Sequence, residues 1–444
     1  MFTWRIVVPA GFALAVALAF ASAAGMPARP SPSWQGFRRE LKLDPLAIVL
    51  TERTDLPSGD ARGDEIARAQ AAIRAGDTRL ATLERLGWAF IAEARAAGDG
   101  SFYELALHCA DVIDERYARA AEGKLLRGHA LHSLHRFAEA EALARSLVAE
   151  RGSPLDYALL GDALFDEGRV DDAARAYRRL MRLRPDSAAY ARVAQVRQIK
   201  GDLEGAAQAL RVAARAASPR DPEAYAWLWA RLADVELRAG RFAEARAAAA
   251  VALDRVANFA PADLVVGKTY LAENRPDLAL EPIERAARRT RLPEQLWLLA
   301  DTYRSLGRDA DGRAVEAELV AHGVLADPRG LAAYLAETGR DPARALALAQ
   351  AEVEKRADVY TLDTLAMARL ATGDIAGAST AMAEAAAVGT RDGRLYYHAG
   401  LIAATTGASA RARESFEAAQ QIQQTLLPSE RAALARHLAE GSAS

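Results

Sequence analysis

Small, large-apolar and polar positions follow one another in a recurring order between residues 121 and 428. The stretch GDALFDEGRVDDAARAYRRLMRLRPD, Gly161 to Asp186, shows the order once. Gly161 is small, Gly168 is a turn residue, Ala173 is small again, Tyr177 is large, and Pro185 lacks the N–H that would continue a helix. The polar residues between them sit at helical spacing, so the stretch predicts two antiparallel helices joined at Gly168.

The same unit recurs. Its turn residue stands at His135, Gly168, Gly201, Gly240, Asn274, Gly307, Gly339, Gly373 and Gly407, a period near 34 residues. Gly and Asn are the residues that most readily take positive φ after a helix ends. Seven residues before each turn lies Gly128, Gly161, Ala194, Ala233, Gly267, Ala300, Ala332, Ala366 or Gly400. Five residues after it lies Ala140, Ala173, Ala206, Ala245, Ala279, Gly312, Ala378 or Ala412. The exception is Arg344, where a one-residue slip near Pro342 would bring Ala343 or Ala345 into place. Paired small residues let two helices cross at short distance. Four residues further on, Tyr177, Leu210, Ile283, Leu348, Met382 and Phe416 are expected to fill space against the neighbouring unit. The longest interval, Gly201 to Gly240, carries the insertion RAASPRDPEA, expected as a surface loop. An array of this kind predicts units that bury their apolar faces against immediate neighbours alone.

Small residue, Gly turn, Ala, aromatic and Pro at this spacing resemble the tetratricopeptide repeat, best in 157–186 and 396–428. LERLGWAF with ELALHCADV, in 83–113, resembles a tenth unit, and DEIARAQAAIRAGD a helix of an eleventh or a cap. The resemblance implies an all-α, right-handed superhelical solenoid of antiparallel helix pairs, about nine to eleven units long. It also implies a concave groove lined by the first helix of each pair. Carried over position by position, the groove residues are Trp88, His129, His132, Asp162, Gln195, Trp227, Asp234, Lys268, Trp297, Asp301, Arg304, Asp363 and Tyr397. Exposed aromatics among them suit recognition of an extended peptide or a helix.

The residues outside the array have their own composition. IVVPAGFALAVALAF after MFTWR, closed by ASAAG, reads as an export leader over 1–24, with an uncleaved anchor as the alternative. Residues 25–60 read as a linker or cap rich in Pro, Ser and Gly, 61–120 as irregular N-terminal units, 121–428 as the array, and 429–444 as a C-terminal cap helix and tail. The expected location is therefore periplasmic or secreted. The order of units also resembles exported bacterial repeat proteins, which adds nothing about chemistry.

Composition narrows the function. Of 444 residues 51% are hydrophobic and 7% aromatic, and the net charge is −2, so no bulk field favours nucleic acid. One cysteine, Cys109, excludes an internal disulfide and reads as a small buried hydrophobe. No phosphate loop, HExxH, GxSxG or dinucleotide fingerprint is present, so neither an enzyme nor a cofactor is expected. His129 and His132 stand at i and i+3 near Asp162 and Asp166, a spacing that would suit a metal, but a surface HxxH accounts for it better and no metal site is expected. The expectation is a non-catalytic protein- or peptide-binding scaffold in the bacterial envelope. The alternative is a periplasmic small-molecule or metal-binding accessory module of a transport or assembly system.

Overall fold

An apolar stripe on a helix must be covered, and a hairpin of two helices covers half of each stripe and leaves the rest for the next hairpin. The computed structural model, which describes residues 44–51, 61–218 and 221–441, shows that solution repeated, with no strand among the described residues. The chain is an all-α solenoid. Helix α1 (Pro45–Val49) precedes α2 (Ala61–Arg74), α3 (Leu80–Ala97) and α4 (Ser101–Arg116). Then come the hairpins α5 (Ala121–Ser133) with α6 (Phe137–Glu150), α7 (Pro154–Asp166) with α8 (Val170–Leu183), and α9 (Ser187–Ile199) with α10 (Leu203–Ala216). Next are α11 (Pro222–Arg238) with α12 (Phe242–Arg255), α13 (Ala260–Ala272) with α14 (Pro276–Thr290), and α15 (Pro293–Ser305) with α16 (Asp309–Ala326). The last hairpins are α17 (Pro328–Thr338) with α18 (Pro342–Val353), α19 (Val359–Ala371) with α20 (Ile375–Ala386), and α21 (Gly393–Thr405) with α22 (Ser409–Gln421). A 3₁₀ turn, Gln423–Thr425, leads into α23 (Pro428–Gly441).

All nine turn residues are left-handed, with φ from 58° at His135 to 84° at Gly168. The left-handed residue redirects the chain so that the next amides return to the helix end: Gly168 N–H bonds Phe165 O and Arg169 N–H bonds Leu164 O. The unit of Gly339 is slipped by one residue. There Asp341 caps α18 by accepting from Arg344 N, and Ala345, fully buried, takes the small position.

The small residues serve a nearer partner than the sequence suggested. A Cβ on Gly161 would strike the ring of Tyr177, and one on Gly400 the ring of Phe416. A Cβ on Gly267 would likewise strike Ile283. In these three units the large side chain therefore lies over the small residue of its own hairpin, whereas Gly128 is covered by Leu159 of the next hairpin. Burying such a side chain stabilises by about 1.5–3 kcal/mol. Where the large residue is replaced by Glu316, the carboxylate is buried and held by Arg304 and Arg340, each at 2.6 Å.

The insertion is also different from its expectation. Its two ends are helix: α10 runs to Ala216, and α11 begins at Pro222 and runs 17 residues, one turn longer than the 13 of α9 and α13. Prolines 261, 293 and 428 stand in the first turn of a helix, where the missing N–H has no partner to lose. Cys109 is buried in α4, and burial pushes its thiol far up, as suits a small hydrophobe.

Units do not meet only their neighbours. The turn at Gly168 rests on the backbone of Ala357 and Asp358, and the turn at Gly201 on Gly389 and Arg391. Thr390 Oγ1 donates to Ile199 O (2.5 Å) across 191 residues, and Gln424 Nε2 to Arg238 O (2.7 Å) across 186. Successive turns in the middle of the array thus meet successive linkers near its end. Superhelical winding closes the groove on itself, because the linker before α19, the linker before α21 and the 3₁₀ turn all reach back. No helix among the described residues is long and apolar enough to cross a membrane. The expected leader at 1–24 lies outside the described residues.

Candidate functional site: a divided groove

The first helices of the hairpins do line the inside of the winding, but closure splits that inside in two. Toward the N-terminus an open hollow of about 330 Å³ is walled by α5, α7, α9 and α11. Toward the C-terminus a chamber of about 220 Å³ is walled by α11, α13, α15, α17, α19 and α21, with Gln424 and Thr425 across it.

The open hollow gathers His132, Asp162, Gln195 and Trp227 from the expected groove set. Phe165, Ala188, Ala191 and Leu228 supply its apolar floor, and Trp227, 43% exposed, stands at its edge with Arg231 over the ring at 5.9 Å. Asp162 is fixed from three directions. Tyr177 donates its hydroxyl (2.8 Å), and Arg192 donates through Nε (2.7 Å) and a terminal nitrogen (2.6 Å). Burial opposes the Asp162 charge, yet Arg192 and the Tyr177 hydroxyl hold its carboxyl below the usual range. Beside it, His132 Nε2 lies 2.7 Å from Asp166. An apolar floor with one fixed carboxylate, one bidentate arginine and an aromatic rim is the lining expected for a side-chain anchor with polar flanks.

The two histidines behave oppositely. Burial pushes His129 down to about 4, its ring set edge-on to Trp88 at 5.0 Å. Burial also opposes charge on His132, but the Asp166 hydrogen bond and the charges of Asp166 and Asp162 together outweigh it and raise that imidazole above its ordinary value. His129 is thus neutral in the fold while the unfolded chain protonates, so its contribution to stability is lost as pH falls from 6.5 toward 4. His132 holds its proton longer when folded, and its contribution is lost as pH rises past its raised value. An imidazole NMR titration is expected to show His132 charged and His129 neutral at pH 6; the reverse order would refute this geometry.

These contacts also dispose of the HxxH metal arrangement. Asp166 is taken by His132, Asp162 by Arg192 and Tyr177, and His129 by Trp88, so the four do not converge on one point.

In the C-terminal half Asp234, Lys268, Trp297 and Asp363 line the closed chamber. Trp297 is not an exposed aromatic: it is buried, edge-on to Tyr334, with the Arg394 guanidinium 4.9 Å above its ring. Asp301 is buried too, and accepts from the backbone N–H of Ser429 (2.8 Å). Arg304 is turned to Glu316 of its own hairpin, and Tyr397 is buried between Phe416 and His437. For Asp301 and Tyr397 the reason is shared, in that the segment from Ile422 onward covers this half of the groove. Arg431 adds a bond to Leu271 O (2.6 Å), and Leu427 enters the core of α15, α17 and α19.

Arg192 and Arg231 escaped the sequence reading. Both stand two positions before the small residue of their helix, off the expected stripe by one step, and that offset was the available signal. Arg238 and Arg394, which neutralise chamber carboxylates, were missed because their partners come from distant units: Arg238 reaches Asp392 (2.7 Å) across 154 residues.

A family model described as tetratricopeptide repeat matches residues 159–222 and 364–425. No curated protein sequence matches the chain. Among solved structures, the type IV pilus biogenesis factor PilW is 15% identical, over 46% of this chain and 93% of its own, with a TM-score of 0.40. Pseudomonas aeruginosa PilF is 17% identical, over 46% and 91%, with a TM-score of 0.39. YrrB, a tetratricopeptide-repeat protein with an unusual peptide-binding site, is 16% identical, over 41% and 92%, with a TM-score of 0.31. None of these scores carries a partner over to this chain. The repeat model, however, matches two separate stretches of a chain whose hairpins turn at one recurring left-handed position, and in those stretches the chain carries tetratricopeptide repeats.

Proposed function

We propose that the protein is a non-catalytic scaffold of the bacterial envelope that holds a polypeptide segment in the open, N-terminal half of its groove. The observation that supports this reading is the contrast between the two halves. One is covered by the chain's own C-terminal segment, and the other keeps Trp227, Phe165 and Leu228 around a hollow beside Asp162 and Arg192. An extended or helical segment with one large apolar side chain and a basic neighbour fits that lining. The leader-like residues 1–24 support export.

Peptide-array binding with the full chain tests the reading. Trp227→Ala is expected to weaken the best-binding peptides about tenfold or more, as truncation of an aromatic anchor does. Arg175→Ala, on the outer face of α8, should leave binding unchanged. Equal affinity of the Trp227 variant would sink the proposal. A second reading, a small-molecule accessory module, is favoured by the closed chamber of about 220 Å³. A small solute released on denaturation of the purified protein would move the function there.

A further inference from the structure

Where the C-terminal helix closes the groove, three donor side chains from three helices converge. Glu337 of α17, His398 of α21 and Glu430 of α23 present ligand atoms within 4.8 Å of one another. His398 is 1% exposed, and its Nδ1 donates to both oxygens of Asp363 (2.8 and 3.0 Å). That bond fixes the ring and aims Nε2 into the cluster, where Nε2 has no hydrogen-bond partner. The nearest oxygen is Glu337 Oε2 at 3.4 Å. Two donors each about 2.05 Å from a tetrahedral ion stand roughly 3.3–3.4 Å apart, so this spacing suits two metal ligands better than a hydrogen bond. A carboxylate behind a histidine whose other nitrogen faces further carboxylates is the arrangement that orients imidazole toward a metal.

Asp363, Glu337 and Glu430 bring three carboxyl groups, of which burial pushes Glu430 up to about 7, and Arg394 reaches Glu337 at 2.6 Å and Glu430 at 2.8 Å. Glu294, near Arg394, is matched by Lys268. Burial opposes charge on His398, but Asp363 and Glu337 outweigh it and keep the ring protonated, so a divalent cation binds by displacing that proton. Arg394 uses only Oε1 of each glutamate; Glu430 Oε2 accepts from the Leu427 N–H (2.7 Å), and Glu337 Oε2 is directed at the ring. Glu337, Asp363 and Arg394 also line the chamber, which gives an ion a route in.

We propose that Glu337, His398 and Glu430 form a site for a divalent transition metal of the Zn²⁺ class, which fastens the C-terminal helix across the groove. The mixed imidazole and carboxylate set favours Zn²⁺ over Mg²⁺ or Ca²⁺. Full-length protein stripped with a chelator and titrated with Zn²⁺ alone tests this. One equivalent is expected to bind and raise the Tm by about 3 °C at a hundredfold excess over Kd. His398→Gln and Glu430→Gln should each weaken binding about 100-fold, while His132→Gln leaves it unchanged. If either cluster variant fails to fold, Co²⁺ in the wild type decides, with a tetrahedral absorption spectrum and one imidazole ligand by X-ray absorption expected. Absent binding, binding retained by His398→Gln, binding lost with His132→Gln, or a Co²⁺ centre without imidazole would each overturn the proposal.

Discussion

Gly168→Ala is expected to lower stability by about 2–5 kcal/mol, and Gly373→Ala by only about 1–2 kcal/mol. Both glycines have φ of 84°, so both variants force an L side chain into the left-handed region, at about 1–2 kcal/mol each. They differ in what the new methyl meets. At Gly373 it meets nothing within 4 Å, whereas at Gly168 it drives into the carbonyl of Ala357. Backbone cannot swing aside as a lysine tip can, so the second variant adds an overpacking term of about 1–3 kcal/mol or pries the turn from the linker. Equilibrium denaturation of the two variants measures the difference directly. Equal losses would mean that the turns and the distant linkers do not touch in solution.

That pair of glycines also marks what was legible in the sequence. Positive φ is written into the chain as glycine or asparagine at a fixed period, so hairpins, register and a one-residue slip near Pro342 could be read from spacing, but not which of Ala343 and Ala345 takes the small position. What Gly168 touches could not. Closure depends on the small rotation of each hairpin against the next, summed along the array, and no single residue encodes it. Ala357 and Gly389 carry no recognisable signal. The site divides in the same manner. His132, Asp162, Gln195 and Trp227 follow from the stripe on the first helices, since the hollow they share is built by adjacent units. Trp297, Asp301 and Tyr397 obey the same stripe but are buried by residues far along the chain, so the stripe located them and misjudged their exposure.

Tyr177→Ala is the other large effect, an expected loss of about 3–5 kcal/mol. The ring is 1% exposed and fills the space that Gly161 leaves in its own hairpin, so its removal empties a volume the backbone of α7 cannot reclaim. The hydroxyl also holds Asp162 (2.8 Å), and Arg192 alone would then satisfy that carboxylate. Tyr177→Phe separates the two contributions: it keeps the packing and should lose only about 1 kcal/mol. Because Tyr177 borders the open hollow, the alanine variant is also expected to enlarge it and to weaken peptide selectivity. Chemical denaturation of the three proteins gives the ordering. A phenylalanine variant as unstable as the alanine one would place the main contribution in the hydrogen bond, against the packing argument.

The closed winding has a consequence for how such a gene can change. In an open repeat array a duplicated or deleted unit simply lengthens or shortens the stack, and recombination within the coding sequence is tolerated. Here the turns at Gly168 and Gly201 are matched to particular linkers, at Ala357 and Gly389, and the turn at Gly240 faces Gln424. Gain or loss of one unit between them would offset every such match at once and leave Thr390 and Gln424 opposite the wrong carbonyls. The winding therefore fixes copy number: this lineage can vary its repeats by substitution, but not by counting.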